Sequence, residues 1–507
     1  MTKTVPPVSR WIDRLPAWLF VAGGGLLACS ITLYFFCPRF YLWQGIELGL
    51  LELASYPELN RAFVVLAQLS NPAVRIESPS NNVVEWRLLF PQLGHALRMS
   101  PAVFLSLTWV GCWATASLVV AQMMKLLGDR LLAYWAALLA CGSAWFFVST
   151  AWLSYNDSWV VLGLVAVAFT RSRIVLALTC LSVCWIDERF LLVLPTALAL
   201  RTLMNPRDER WLPSFALDVA TAIGASAPYV LMRVVAYYNG TDPHTVAYLQ
   251  ERSVETFPFR RYVEGAWAGL RCNWFFVGAW AWLVTRTRPA WWSAVVLVGT
   301  LFSFVVVLKS AGDLHRSAAM FVVVALAGVV MLHRAKPQFT AKALPILALL
   351  GLVLPAAHVI TVFRIPIFGA FDEWERSERE LPVQLTAPYN TELANRFAQA
   401  KQTDQAMKFF DIALKLDPNY RPATYHKARV LASEGRYQEA LAILDAALAD
   451  KPDWSEAYYL RGRCREFTGD ARTALGDYDR ALLHAAPTGT MRSEIEIHRG
   501  RLKSAFP

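Results

Sequence analysis

Residues 102–124 read AVFLSLTWVGCWATASLVVAQMM, without one charged side chain. About twenty apolar residues in helical form cross the hydrocarbon core of a bilayer, and a helix satisfies its own backbone there. The run therefore predicts a membrane-spanning helix. Comparable apolar runs lie near 17–36, 131–152, 158–170, 174–186, 190–203, 213–235, 266–284, 290–308, 317–332 and 343–363. Together they predict an all-α polytopic bundle of about eleven spans. The runs at 158–170, 174–186 and 190–203 are short, and 174–203 also reads as one helix interrupted by Asp187-Glu188-Arg189. Composition agrees, because a chain that is 56% hydrophobic and 17% charged is too apolar for an ordinary soluble enzyme.

The 507-residue chain carries a net charge of +10, but its Lys and Arg are dispersed between the apolar runs and form no stripe, so nucleic acid is not an expected partner. They report topology instead, because basic residues in short loops stay cytoplasmic. Arg10 and Arg14, Lys125 and Arg130, Arg171 and Arg173, Arg207 and Arg210, Arg286 and Arg288, and Arg334 with Lys336 all fall in alternate loops. This predicts a cytoplasmic N-terminus and, after an eleventh span, a non-cytoplasmic C-terminal domain. The compact loops favour a bacterial plasma (inner) membrane. The eight cysteines form no CxxC motif and no cluster with His, so neither a disulfide frame nor a zinc site is expected.

From 387 onward a spacing of 34 appears. Ala406, Ala440 and Ala474 recur, as do Ala413, Ala447 and Ala481, Leu414, Leu448 and Leu482, and Phe410, Leu444 and Tyr478; Pro418 and Pro452 close two units. Ala394, Ala428 and Gly462 supply small residues in the first helices. Gly435 and Gly469 sit at two interhelix turns, where the first unit has Lys401. This pattern resembles the tetratricopeptide repeat, which implies an α-solenoid of paired helices with a concave binding face. The repeat's geometry places Asn395, Tyr425, Arg429, Tyr459 and Arg463 on that face, and two Arg with two Tyr suit an acidic peptide or a C-terminal carboxylate. A solvated spacer surface is the alternative. The expected organisation is a multi-pass membrane domain over 1–365 with an outer loop at 38–101, a charged linker over 366–386, three repeats over 387–488 and a capping helix over 489–507.

Ionisable groups beside apolar runs are costly and raise a functional question. Glu85, Arg87 and His95 form one cluster, Asp187, Glu188 and Arg189 a second, and Asp313, His315 and Arg316 a third; on the predicted topology all face outward, with Asp157. An inside N-terminus, one span, a long outer loop and about ten further spans resemble the lipid-linked glycosyltransferases of the C-type fold (GT-C-like). That resemblance implies transfer of a sugar from a polyprenyl-phosphate donor. Arg87, His95, Arg189, His315 and Arg316, with Asp187 and Asp313, would then form the donor site, and a loop carboxylate would act as base. The family's acidic pair in the first outer loop is missing, since residues 38–101 hold five Glu, none adjacent, and no Asp. Glu47 and then Glu85 are the candidate catalytic bases. No cofactor is implied, and a divalent metal is left open. A non-catalytic membrane scaffold that displays the repeats for envelope-complex assembly is the competing expectation, with membrane lipid and a protein partner as its ligands.

Overall fold

The computed structural model describes residues 12–36, 62–72, 86–152, 154–204, 211–240, 258–310, 313–357, 363–364, 386–399, 401–485 and 490–505. The outer-loop candidates Glu47 and Glu85 and nearly all of the charged linker lie outside them. The described chain is helical apart from a two-residue antiparallel pairing of Ala356–Ala357 with Phe363–Arg364. It divides into two compact units, one holding the helices up to Val353 and one those from Ala387 onward.

The first unit comprises α1 (Ala17–Phe35), α2 (Ala62–Ser70), α3 (Leu89–Ala96), α4 (Pro101–Leu127), α5 (Arg130–Cys141), α6 (Ala144–Ala151), α7 (Asp157–Phe169) and α8 (Arg173–Val183). It continues with α9 (Arg189–Met204), α10 (Trp211–Tyr238), α11 (Phe259–Leu270), α12 (Trp274–Thr287), α13 (Ala290–Ser310), α14 (Leu314–Ala319), α15 (Val322–Ala335) and α16 (Pro337–Val353). Local chemistry sets the ends of α4. Ser100 caps its first turn by accepting from the Val103 N–H, Pro101 needs no N–H there, and Gly128 closes it at φ +68°. Asp129 then caps α5 by accepting from Leu132 N at 2.9 Å.

Five described helices are long and apolar enough to cross a bilayer: α1, α4, Leu212–Tyr238, α13 and Leu314–Ala335, the last joining α14 to α15. The pair α5 and α6, bent by 63° at Gly142-Ser143, makes a sixth if it is one span. The remaining apolar runs also become helices, but α7, α8 and α16 are shorter. The 174–203 run is two helices, separated by residues 184–188. Burial explains the short α7, which has nearly every residue enclosed and packs on α4 and α9. Ile174 on α8 and Phe302 on α13, by contrast, are 73% and 69% exposed. Apolar side chains displayed outward around a core that encloses charges is the pattern of a protein solvated by lipid.

The second unit pairs α17 (Ala387–Gln399) with α18 (Thr403–Leu416), α19 (Arg421–Ser433) with α20 (Tyr437–Asp450), and α21 (Ser455–Phe467) with α22 (Ala471–His484), and ends in α23 (Thr490–Ala505). The 34-residue spacing has the physical cause read from the sequence. Ala394, Ala428, Ala406, Ala440 and Ala474 are fully buried where helices cross, and Phe410, Leu444 and Tyr478 fill the space beside them. Gly435 and Gly469 adopt φ +76° and +88°, and Lys401 adopts φ +59° at the equivalent turn. Ile495 and Leu502 of α23 close the apolar end of the stack.

Candidate functional site

Three side-chain hydrogen bonds fix the start of α7 against α4. Thr115 Oγ1 donates to the Ser158 carbonyl at 2.7 Å, Ser158 Oγ to the Thr108 carbonyl at 2.9 Å, and Trp159 Nε1 to the Leu107 carbonyl at 2.8 Å. Gly111 permits this approach, since a Cβ there would lie 2.5 Å from Ser158 Oγ. Asp157 is thereby held, fully buried, at the first turn of α7.

Around it the separate charged clusters converge. Arg316 of α14 donates to Asp157 Oδ2 from Nη2 (2.7 Å) and Nε (3.1 Å), and to Asp313 Oδ2 at 2.9 Å. Arg189 donates to Asp157 Oδ1 at 2.8 Å and grips both oxygens of Asp187 at 2.9 and 2.7 Å. Arg87, just ahead of α3, meets Asp187 at 3.0 Å and both oxygens of Glu188 at 3.2 and 2.8 Å. The Arg316 guanidinium also lies 4.2 Å from the Tyr155 ring centroid.

Arg87, Asp187, Arg189, Asp313 and Arg316 are therefore brought together, and His315 is buried beside Arg316 on α14. His95 is engaged elsewhere, its Nδ1 lying 2.9 Å from the Leu69 carbonyl. Asp157, on the same side in the expected topology, and Glu188, within its charged triplet, have no role assigned by sequence. Their signal was cost: a carboxylate inside an apolar run needs partners. Chemically the network is balanced. Arg87, Arg189 and Arg316 face four carboxylates, and Arg233, 5.0 Å over the Trp86 ring, supplies a fourth cation nearby. Each of the three guanidinium groups is already committed to carboxylates. Among the described residues, no group of three or more His, Cys, Asp or Glu side chains could hold a metal.

A small pocket adjoins Arg87, walled by Phe90, Phe104 and Leu105 with Ser154 and Asn156 beside it. At the far end of α7, Arg201 bonds the Val167 and Arg171 carbonyls at 3.3 and 2.9 Å and shares Asp218 with Arg173, at 2.9 and 2.8 Å.

In the repeat unit, Asn395, Arg429 and Arg463 occupy equivalent positions of α17, α19 and α21, and Tyr425 and Tyr459 do the same one turn earlier on α19 and α21. Arg429 is exposed. Arg463 Nη1 lies 3.4 Å from both Tyr459 Oη and His498 Nε2, and its guanidinium sits 5.3 Å from the Phe467 ring. Burial pushes the Tyr425 phenol up, with Tyr459, Glu456 and Glu494 adding to the shift and Arg429 opposing it. Burial and then Arg429 push His426 down. Asn395 Oδ1, His426 Nδ1 and Arg463 Nε, one on each successive first helix, are buried without a hydrogen-bond partner among the described residues.

A second set of charges holds the repeats together. Arg461 bonds Asp477 at 3.0 and 2.6 Å and Asp445 at 2.7 Å, joining α20, α21 and α22. Glu466 accepts from Tyr478 Oη at 2.7 Å and binds Arg501 of α23.

The tetratricopeptide repeat family model matches residues 397–464, so the chain carries tetratricopeptide repeats. No curated protein matches the chain.

Proposed function

We propose that this is an integral membrane protein whose tetratricopeptide module captures an acidic segment or C-terminal carboxylate of a partner protein. The observation that carries the reading is the register of Arg429 and Arg463, each following a tyrosine on successive first helices. Buried polar atoms without partners along the same helices supply hydrogen-bonding capacity that a peptide backbone satisfies. Glu456 and Glu494 near Tyr425 confine the anion-accepting part of the face to the two arginines.

In this reading 1–365 forms about eleven spans in a bacterial plasma (inner) membrane with a cytoplasmic N-terminus, 366–386 is a linker, and the three repeats of 387–488 with their cap at 489–507 stand on the other side. The alternating basic loops support that sidedness. The test is binding of a fluorescent Asp/Glu-rich peptide with a free C-terminus to the full chain in nanodiscs. Arg429→Glu with Arg463→Glu must abolish binding. An unchanged affinity in that double variant would refute the reading.

A second reading, sugar transfer from a polyprenyl-phosphate donor, is favoured by the convergence of Arg87, Asp187, Arg189, Asp313 and Arg316 beside the pocket. Its phosphate would have to displace carboxylates from guanidinium groups already paired, which places it second. Glu47→Gln and Glu85→Gln, assayed separately with a labelled lipid donor, test it. Full activity in both removes those bases, and no activity in the wild type against any donor leaves the scaffold.

A further inference from the structure

We infer that His498 is the proton-dependent member of the anion-accepting face. Once protonated, it joins Arg463 in donating to one carboxylate of the captured segment, so capture takes up a proton and tightens as pH falls. The inference rests on the peptide-capture reading and concerns how that same site is regulated.

The geometry that carries it is a shared N–H. Arg463 Nη1 lies 3.4 Å from both Tyr459 Oη and His498 Nε2, and a guanidinium only donates, so Nε2 is the acceptor of a neutral ring. The ring's own N–H then sits on Nδ1, which faces Glu466 Oε2 at 3.4 Å. Protonation places a second N–H on Nε2. Donor then meets donor, and the Arg463 contact is lost. An arriving carboxylate resolves the conflict, because it accepts from Arg463 and from the Nε2–H at once.

The surrounding charges set the sign. Arg463 and Glu466 on α21 and Arg501 on α23 face the imidazole, with the rings of Tyr459 and Tyr478 at 6.0 and 6.1 Å. Glu466 is already engaged by Tyr478 Oη at 2.7 Å and by Arg501. Two guanidinium groups against one carboxylate leave a positive excess, which protonation of the ring increases. A ligand carboxylate offsets that added charge and so raises the proton affinity of the ring; by linkage the proton raises the affinity for the ligand by the same factor. The His498 side chain is 20% exposed, so a ligand side chain can reach it.

The probe is the fluorescent Asp/Glu-rich peptide with a free C-terminus, titrated into the full chain in nanodiscs at pH ~7.5 and ~5.5, where its carboxylates stay largely ionised. Wild type should bind about fivefold tighter at the lower pH. Calorimetry at pH ~6.5 in two buffers of different ionisation enthalpy should register uptake of about half a proton. His498→Gln keeps a neutral polar side chain and should bring the affinity ratio close to unity. His498→Lys carries a fixed charge and should bind more tightly than His498→Gln at pH ~7.5. A ratio near unity in wild type, a wild-type ratio in His498→Gln, or weaker binding by His498→Lys than by His498→Gln overturns the inference and leaves peptide capture standing. Absence of binding at both pH values overturns the capture reading itself, and this inference with it.

Discussion

Arg316 lies 159 residues beyond Asp157 in the chain, yet its Nη2 and Nε stand 2.7 and 3.1 Å from one oxygen of that carboxylate. Arg189 takes the other oxygen at 2.8 Å, so a single buried side chain fastens α7, α9 and α14. A buried pair gains little over apolar packing, but removing one partner strands an uncompensated charge.

Asp157→Asn should therefore destabilise the membrane unit by about 3–5 kcal/mol. Thermal unfolding of the full chain in detergent measures the loss. Asp157→Leu with Arg316→Met should recover part of it, because the double change removes both charges, although Arg189 keeps Asp187 as its remaining carboxylate. Wild-type melting in Asp157→Asn would show that the network contributes no stability.

The turn of the first repeat makes the opposite prediction. Lys401 holds φ +59° where the other two repeats use Gly435 and Gly469. A side chain in the left-handed region costs about 1–2 kcal/mol, partly offset by the greater entropy glycine loses on folding. Lys401→Gly should stabilise the α17–α18 pair by about 0.5–1 kcal/mol, and Gly469→Ala should cost about 1 kcal/mol. Amide exchange of the flanking helices in the full chain reports both. Faster exchange in Lys401→Gly contradicts the argument.

These two regions also show where sequence reasoning works and where it stops. The repeats were legible because the same crossing recurs every 34 positions, so Ala406, Ala440 and Ala474 show one packing constraint three times over. The charged clusters were legible as an expense in an apolar setting. Their pairings were not, since Arg87 meets Glu188 across 101 residues and Arg316 meets Asp157 across 159, and one chain carries no signal for such separations. Helix lengths were blurred for a different reason: hydropathy runs continuously through Gly142-Ser143, where the backbone bends by 63°.

Gly462 sets the approach of α21 to α22. A Cβ there would lie 2.7 Å from Tyr478 Cε1 and 3.3 Å from Asp477 Cβ, so Gly462→Ala must displace the Tyr478 ring. The expected cost is about 1–3 kcal/mol. Tyr478→Leu in the same chain should return much of it, although it gives up the hydrogen bond to Glu466. Both changes are read as exchange protection of α21 and α22. Equal protection in Gly462→Ala and wild type would mean that the ring yields freely.

The last helix makes the repeat unit sensitive to acid. His498 of α23 faces Arg463, Glu466 and Tyr459 of α21 and Tyr478 of α22, with Arg501 on its own helix. Burial, and then the Arg463 charge, hold its imidazole below the ordinary value of 6.5 despite the opposing carboxylate of Glu466. A guanidinium only donates, so the contact at 3.4 Å needs the neutral ring as acceptor. The folded state thus binds the proton less readily than the unfolded chain. Stability is complete above the unfolded value and is lost as pH falls through the lower folded value. Glu466 is also held below its ordinary value: burial acts against this, but the bonds from Tyr478 and Arg501 outweigh it, so its contribution fades in the same direction at lower pH. Exchange from α23 should therefore rise between pH ~7 and ~5, after correction for intrinsic rates, and His498→Gln should flatten that rise. An equally steep rise in His498→Gln would move the sensitivity to His426, which burial and Arg429 also hold below its ordinary value.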